Sequence, residues 1–185
     1  MRLVRAILPV VRTASTTAAS SPNRVLRVGD AVRERRHFTG ADVAAYAAVS
    51  GDRNPVHLDD GIAREVGGFQ RGRVVHGMLV ASVFPSVIAA HFPGALYASQ
   101  TLRFAAPVYV GDEVVAQVRA LHIRMMAGNG STSRYLVKFE TKCFTGKDEG
   151  SLAIDGEAMA VLPTLDWSSE TAIEKQCKDG LAGAW

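Results

Sequence analysis

A chain of 185 residues, 48% hydrophobic and 21% charged, has room for one domain with a substantial core and lies far from the compositions of disordered or collagen-like chains. Its net charge of +3 resides in the first twenty residues, where Arg2, Arg5 and Arg12 stand without an acid; the remainder is formally neutral, which argues against nucleic acid as a partner. Two cysteines, Cys143 and Cys177, make neither a disulfide framework nor a zinc ligand set and predict a reducing compartment.

The N-terminal segment sets Arg2, Arg5 and Arg12 on one side of a helical projection and Leu3, Val4, Ile7, Val10 and Val11 on the other, although Pro9 limits any continuous helix. A Ser/Thr-rich stretch follows, and the first acid of the chain is Asp30. This is the composition of a mitochondrial presequence, expected over residues 1–23. Its apolar run is too interrupted for a secretory signal and too short to span a membrane. A strand is expected over 32–38, then a helix over 41–49 introduced by Thr39 as N-cap with Asp42 at its third position. Residues 50–70, rich in Gly, Asp and Asn, read as loop with a short helix over 60–66. Residues 77–91 are apolar nearly all round, which predicts a central helix surrounded by protein, with a kink or the local loss of a backbone hydrogen bond at Pro85. Strands are expected over 99–104, 113–124, 133–144 and 151–162, with turns at Gly128-Asn129-Gly130 and between Gly146 and Gly150. The order predicts an α+β domain over 24–163: about five antiparallel strands curved round one apolar helix, followed by a C-terminal tail over 164–185.

The segment from Tyr46 to Ala63, containing Gly51-Asp52-Arg53-Asn54-Pro55-Val56-His57-Leu58-Asp59, carries the densest chemistry. With Val75-His76-Gly77-Met78-Leu79-Val80-Ala81-Ser82, Ser99-Gln100-Thr101-Leu102-Arg103-Phe104 and Pro107-Val108-Tyr109-Val110-Gly111-Asp112, it resembles the signature of the MaoC-like, or hydratase 2, family of (R)-specific enoyl-thioester hydratases. Three separated motifs in the family's order, the last formed by the strand and turn over 99–112, make the resemblance specific, and it covers residues 27–163. It implies a single hot-dog fold and reversible conversion of trans-2-enoyl thioesters to (R)-3-hydroxyacyl thioesters. Together with the presequence, it points to the mitochondrial 3-hydroxyacyl-thioester dehydratase branch, which serves fatty acid synthesis in the matrix. The terminal Gly183-Ala184-Trp185 does not resemble a peroxisomal address.

Hydration of an enoyl thioester needs a group to orient and deprotonate water, a proton for C2, and donors for the charge that grows on the thioester oxygen. Asp52 and His57 suit the first two needs if a turn brings them together, and Asn54-Pro55 supplies turn chemistry. The resemblance implies that Asp52 and His57 are the catalytic dyad, with Asn54 a water-orienting partner. Ser82, a turn and a half beyond Gly77, is a candidate supporting residue, although a small residue packed on a buried helix is the commoner reading. Gly77 would offer a free N–H at the start of the central helix, where the missing side chain lets a thioester approach. His76 beside it is a candidate substrate-binding group, although a structural hydrogen-bonding role is the commoner one at such a position. One His and adjacent acids lack the ligands of a zinc site, so no metal or other cofactor is expected. A hot-dog thioesterase and a silent acyl-thioester binding subunit are the competing readings; the intact Asp52, Asn54 and His57 favour an active hydratase. The substrate is expected on acyl carrier protein or coenzyme A, and open sheet edges predict a homodimer with sites near its interface.

Overall fold

A computed structural model of the chain describes residues 25–126, 133–146 and 150–167. The presequence segment, the Gly128-Asn129-Gly130 turn and the chain beyond Trp167 lie outside the described residues.

The described chain forms β1 (Ala31–His37), α1 (Gly40–Ser50), α2 (Pro55–Leu58), α3 (Asp60–Glu65), α4 (Gly77–Ala81), α5 (Val83–His91), β2 (Leu96–Phe104), β3 (Glu113–Met126), β4 (Arg134–Thr145) and β5 (Leu152–Leu162). The strands make one antiparallel sheet in the order β1-β3-β4-β5-β2. Alternation places Val114, Ala116, Val118 and Ala120 of β3, Val137, Phe139 and Cys143 of β4, and Ala158, Ala160 and Leu162 of β5 in the core. Phe84, Val87 and Ile88 recur at helical spacing on α5 and meet them with Phe92. Burial pushes the Cys143 thiol up to about 12, so it behaves as a small apolar core residue.

α1 begins as its sequence dictates. Thr39 Oγ1 accepts from Asp42 N at 3.2 Å, and Asp42 Oδ2 accepts from Thr39 N at 2.8 Å. It ends at Gly51, whose φ of 77° lets its N–H turn back to Ala47 O.

The central helix divides at Ser82, in keeping with the backbone hydrogen bond that Pro85 was expected to remove. Proline lacks an N–H for the carbonyl four residues back and its ring collides with that carbonyl, so the regular ladder fails at Ala81, one turn before the proline itself. Contrary to expectation, the helix is not surrounded: Met78, Ser82, Ser86, Ala89 and Ala90 form an exposed face in the single chain. Met125 and Met126 stand on the surface at the end of β3.

The boundary expected at 163 is not a packing boundary. Leu26 N donates to Leu165 O at 2.8 Å, Val25 bridges Asp166, and Trp167 packs on the rings of His91 and Phe92. The start of the predicted tail is therefore part of the folded unit.

Candidate active site

The loop between α1 and α2 is a run of side-chain-to-backbone turns. Ser50 Oγ donates to Tyr46 O and accepts from Asp52 N; Asp52 Oδ1 accepts from Asn54 N at 3.1 Å; Asn54 Oδ1 accepts from Val56 N at 3.3 Å and caps α2, with Pro55 at its first position. These bonds fold five residues tightly enough for the Asp52 carboxylate and the His57 ring to share one space. Asn54 is seen here as a cap, its side-chain oxygen committed to the backbone.

His57 is aimed by a second segment. Arg73 to Val75 runs extended between α2 and the 108–110 turn: Val74 N donates to Val56 O, Val75 N to Val108 O, and Val110 N to Arg73 O. Asp60 of α3 pins the same segment by accepting from Arg73 N at 2.9 Å and pairing with its guanidinium at 3.3 Å. That backbone bond holds the Asp60 carboxyl below the usual carboxylate range, helped by the charges of Arg73 and Arg64. The Val74 carbonyl thus fixed lies 2.8 Å from His57 Nδ1. A carbonyl only accepts, so Nδ1 carries the proton and neutral His57 keeps its lone pair on Nε2.

His76 faces the same space. It is 2% exposed, its Nε2 lies 3.1 Å from Asp52 O and therefore donates to it, and its ring stacks on His57 at 3.8 Å between centroids and tilts against Tyr46 at 4.9 Å. One nitrogen or oxygen from each of Asp52, His57 and His76 lies within 4.8 Å of the other two. The constellation brings together the donor types of a metal centre but not their geometry. An ion about 2.1 Å from a nitrogen of each ring would have to lie in both ring planes. Planes 3.8 Å apart at their centroids and only 29° from parallel do not meet so close to the rings.

A cleft of about 470 Å³ opens beside this cluster. Asp52, His76 and Gly77 are among its lining, and Val74, Val80, Val108, Phe104 and Ile154 supply much of its apolar wall. Its size and lining suit a mostly apolar ligand that carries a polar group. His57, half-buried, stacks on His76 beside the cleft. Gly77 opens α4, so its N–H has no intrahelical acceptor, and the Phe104 ring lies directly over it: a Cβ on Gly77 would come within 2.6 Å of that ring.

The structure thus gathers Asp52, His57, His76 and Gly77, keeps Asn54 beside them, and removes Ser82. Five residues at about 100° each carry Ser82 roughly 140° round the helix from Gly77. Its hydroxyl donates to Leu79 O at 2.6 Å, and it lines a separate groove with Glu34, Arg35 and Arg36. Sequence reasoning missed the Val74 carbonyl, the Tyr46 ring and the cover formed by Phe104. Tyr46 opens the signature and Phe104 ends another of the quoted motifs, so both were within reach; the carbonyl has no side-chain signal.

A family model described as MaoC like domain matches residues 25–138. The chain belongs to the MaoC-like family. It is 47% identical over 167 residues to a mitochondrial 3-hydroxyacyl-[acyl-carrier-protein] dehydratase of Arabidopsis thaliana, covering 90% of this chain and 94% of that protein. With an (R)-specific enoyl-CoA hydratase of Aeromonas caviae it shares 40% identity over 140 residues, 75% of this chain and 96% of that one. The solved structure of the A. caviae (R)-hydratase, involved in PHA biosynthesis, superposes with a TM-score of 0.64 at 38% identity, covering 75% of this chain and 98% of that one. A double hot-dog protein of Mycobacterium tuberculosis matches with a TM-score of 0.64 at 21% identity, over 75% of this chain and 43% of that one, a likeness of fold. The MaoC-like chain is therefore a hot-dog protein, α+β as expected.

Proposed function

We propose that this MaoC-like protein is a hydro-lyase that interconverts trans-2-enoyl and (R)-3-hydroxyacyl thioesters, acting as a dehydratase in mitochondrial fatty acid synthesis. One observation carries the chemistry. Asp52 and His57 present atoms no more than 4.8 Å apart, a gap that one water about 2.8 Å from each can span, and the Val74 carbonyl leaves His57 Nε2 as the basic nitrogen. In the hydration direction the water, oriented by the Asp52 carboxylate and relieved of a proton by the pair, forms its bond to C3. The pair returns one proton to C2. The thioester oxygen gathers charge meanwhile and takes the Gly77 N–H, which the close approach to a residue without a side chain makes accessible. The apolar wall of the cleft receives the acyl chain. Dehydration runs the same steps backward.

The relatives' names support a substrate carried on acyl carrier protein or coenzyme A, and a mitochondrial setting. The Arg-bearing, acid-free start of the chain supports import into the matrix with removal of a presequence. Mass spectrometry of the native protein tests this: a new N-terminus beyond Arg12 is expected, and an intact Met1 on the bulk of it would reject the presequence.

A homodimer joined along β2 follows from the two open edges. β1 carries Arg33, Glu34, Arg35 and Arg36, whereas β2 has Arg103 alone among its nine residues. Charge guards the first edge and leaves the second open to pairing. Phe104 at the end of β2 lines the cleft, so a partner there would sit beside Asp52, which the single chain leaves exposed.

The deciding assay follows loss of the enoyl absorbance of crotonyl and longer thioesters, with chiral analysis of the product. Asp52→Asn and His57→Ala are each expected to lower kcat/KM by about 10²-fold or more in a folded protein, and the double variant to be scarcely worse, because both groups act on one water. Full activity in folded His57→Ala, or release of free thiol in place of hydration, would reject the reading.

A further inference from the structure

We propose that His76 is a positioning residue for the hydration step: one buried imidazole locates both Asp52 and His57, fastening the main chain of the first and setting the ring plane of the second. The inference rests on reading Asp52 and His57 as the reacting pair.

Four observations converge on this ring. Its Nε2–H reaches the Asp52 carbonyl across 24 positions of sequence at 3.1 Å, so the loop that carries the carboxylate is tied to the start of α4. Its face lies 3.8 Å from that of His57; His57, held at one edge by the Val74 carbonyl, is prevented from swinging about that bond by the stack. Tyr46 closes on His76 at 4.9 Å, so His76 cannot give way. Finally, Nδ1 of His76 is buried without a hydrogen-bond partner among the described residues. A ring chosen only to fill the core would not bury an acceptor it leaves unpaired. Here the opposite nitrogen, Nε2, is the one in use, on a residue that also lines the cleft.

The arrangement makes the two neighbouring histidines opposite tautomers: Nδ1–H on His57 and Nε2–H on His76. Each donates its single proton to a fixed carbonyl, and each is thereby locked about its own ring axis. A displacement of about 1 Å in either reacting group can cost about 10²-fold in rate, so the loss of this plate should appear in kcat rather than in substrate binding.

The test uses the full-length protein and has two arms. In the first, long-range nitrogen–proton NMR on 15N-histidine-labelled wild-type protein reads the tautomers; Nε2–H for His76 with Nδ1–H for His57 is expected, and Nδ1–H on His76 overturns the proposal. This arm needs no activity, so it decides His76 even if the hydratase reading fails; that reading is rejected separately, by full activity in Asp52→Asn. The second arm compares His76→Phe, which keeps a flat ring and loses the donor, with His76→Gln, whose amide N–H reaches the place of Nε2. His76→Phe is expected to lower kcat about 10- to 100-fold with KM within about threefold of wild type, and His76→Gln to recover at least about fivefold of that loss. Wild-type kcat in folded His76→Phe, or kcat losses that merely follow the melting temperature in both variants, overturns the proposal. Should neither variant fold, the tautomers in the wild type decide.

Discussion

Replacing Gly77 by alanine separates two roles that the residue combines. The new Cβ would lie 2.6 Å from Phe104 Cε1 and 2.8 Å from Cδ1, against about 3.5–4.0 Å for an ordinary carbon contact, so the ring must retreat by about 1 Å. Phe104 sits on the edge strand and is 52% exposed, so it can turn outward, and the stability cost belongs at the low end of the roughly 1–3 kcal/mol typical of overpacking. The backbone N–H survives the substitution, but a methyl group now stands where the thioester must approach it. A loss in kcat/KM of about 10- to 100-fold is expected, worth about 1.4–2.7 kcal/mol and smaller than the roughly 10²–10³ lost when an oxyanion donor is deleted outright. The assay is enoyl-thioester hydration alongside thermal melting, with Phe104→Ala and the double variant as controls. The double variant should regain the melting temperature of Phe104→Ala and remain slow. Full activity in Gly77→Ala, or recovery of activity in the double variant, would mean that the glycine merely makes room for Phe104.

Two further outcomes follow. Ser99→Lys places a charge on the exposed, otherwise neutral stretch of β2 and should reduce dimer content by light scattering and activity together; an active monomer at assay concentration would refute the interface-built site. Asp42 and Asp60 have carboxyls held low, mainly by backbone bonds from Thr39 and Arg73, so their contribution to stability is complete above the ordinary carboxylate value of about 4 and is lost as pH falls through their lowered native values. Melting temperature should therefore fall on acidification through that window. Asp60→Asn should flatten part of the fall; an unchanged acid limb would show that the Arg73 tether contributes nothing.

Local signals explain what was legible in the sequence. The Thr39–Asp42 capping box lies within four residues and strand alternation within six, so α1 and the interior strands could be read directly, to within a few residues at their ends. α2 was missed because four residues carry no period, and its presence rests on Asn54-Pro55 as cap and first turn. Ser82 was read either as a support for the site or as a small residue packed on a buried helix; it is exposed on a separate groove because that side of the helix is uncovered in the single chain. The proximity of Asp52 and His57 was readable because only five positions and the Asn54-Pro55 turn separate them. The groups that orient it, the Val74 carbonyl and the His76 N–H, act across 17 and 24 positions, and one is a backbone atom that any residue would supply.

The clasp between Leu26 and Leu165 bears on the order in which this molecule can be assembled. The sheet runs β1-β3-β4-β5-β2, so the two strands made first become the two outer ones, and neither has its neighbour until much later chain arrives. Wherever the polypeptide emerges N-terminus first, from a ribosome or from a translocation pore, the hairpins of β3, β4 and β5 can close in succession, while β1 must wait for β3 and β2 for β5. Leu26 finds its partner only when Leu165 is free, and Trp167 covers Phe92 last of all. A chain cut at Pro163 would hold every described strand together with Asp52 and His57 yet lack the fastening that closes the sequence of events, and it should remain open longer to proteases and to the edges of its neighbours.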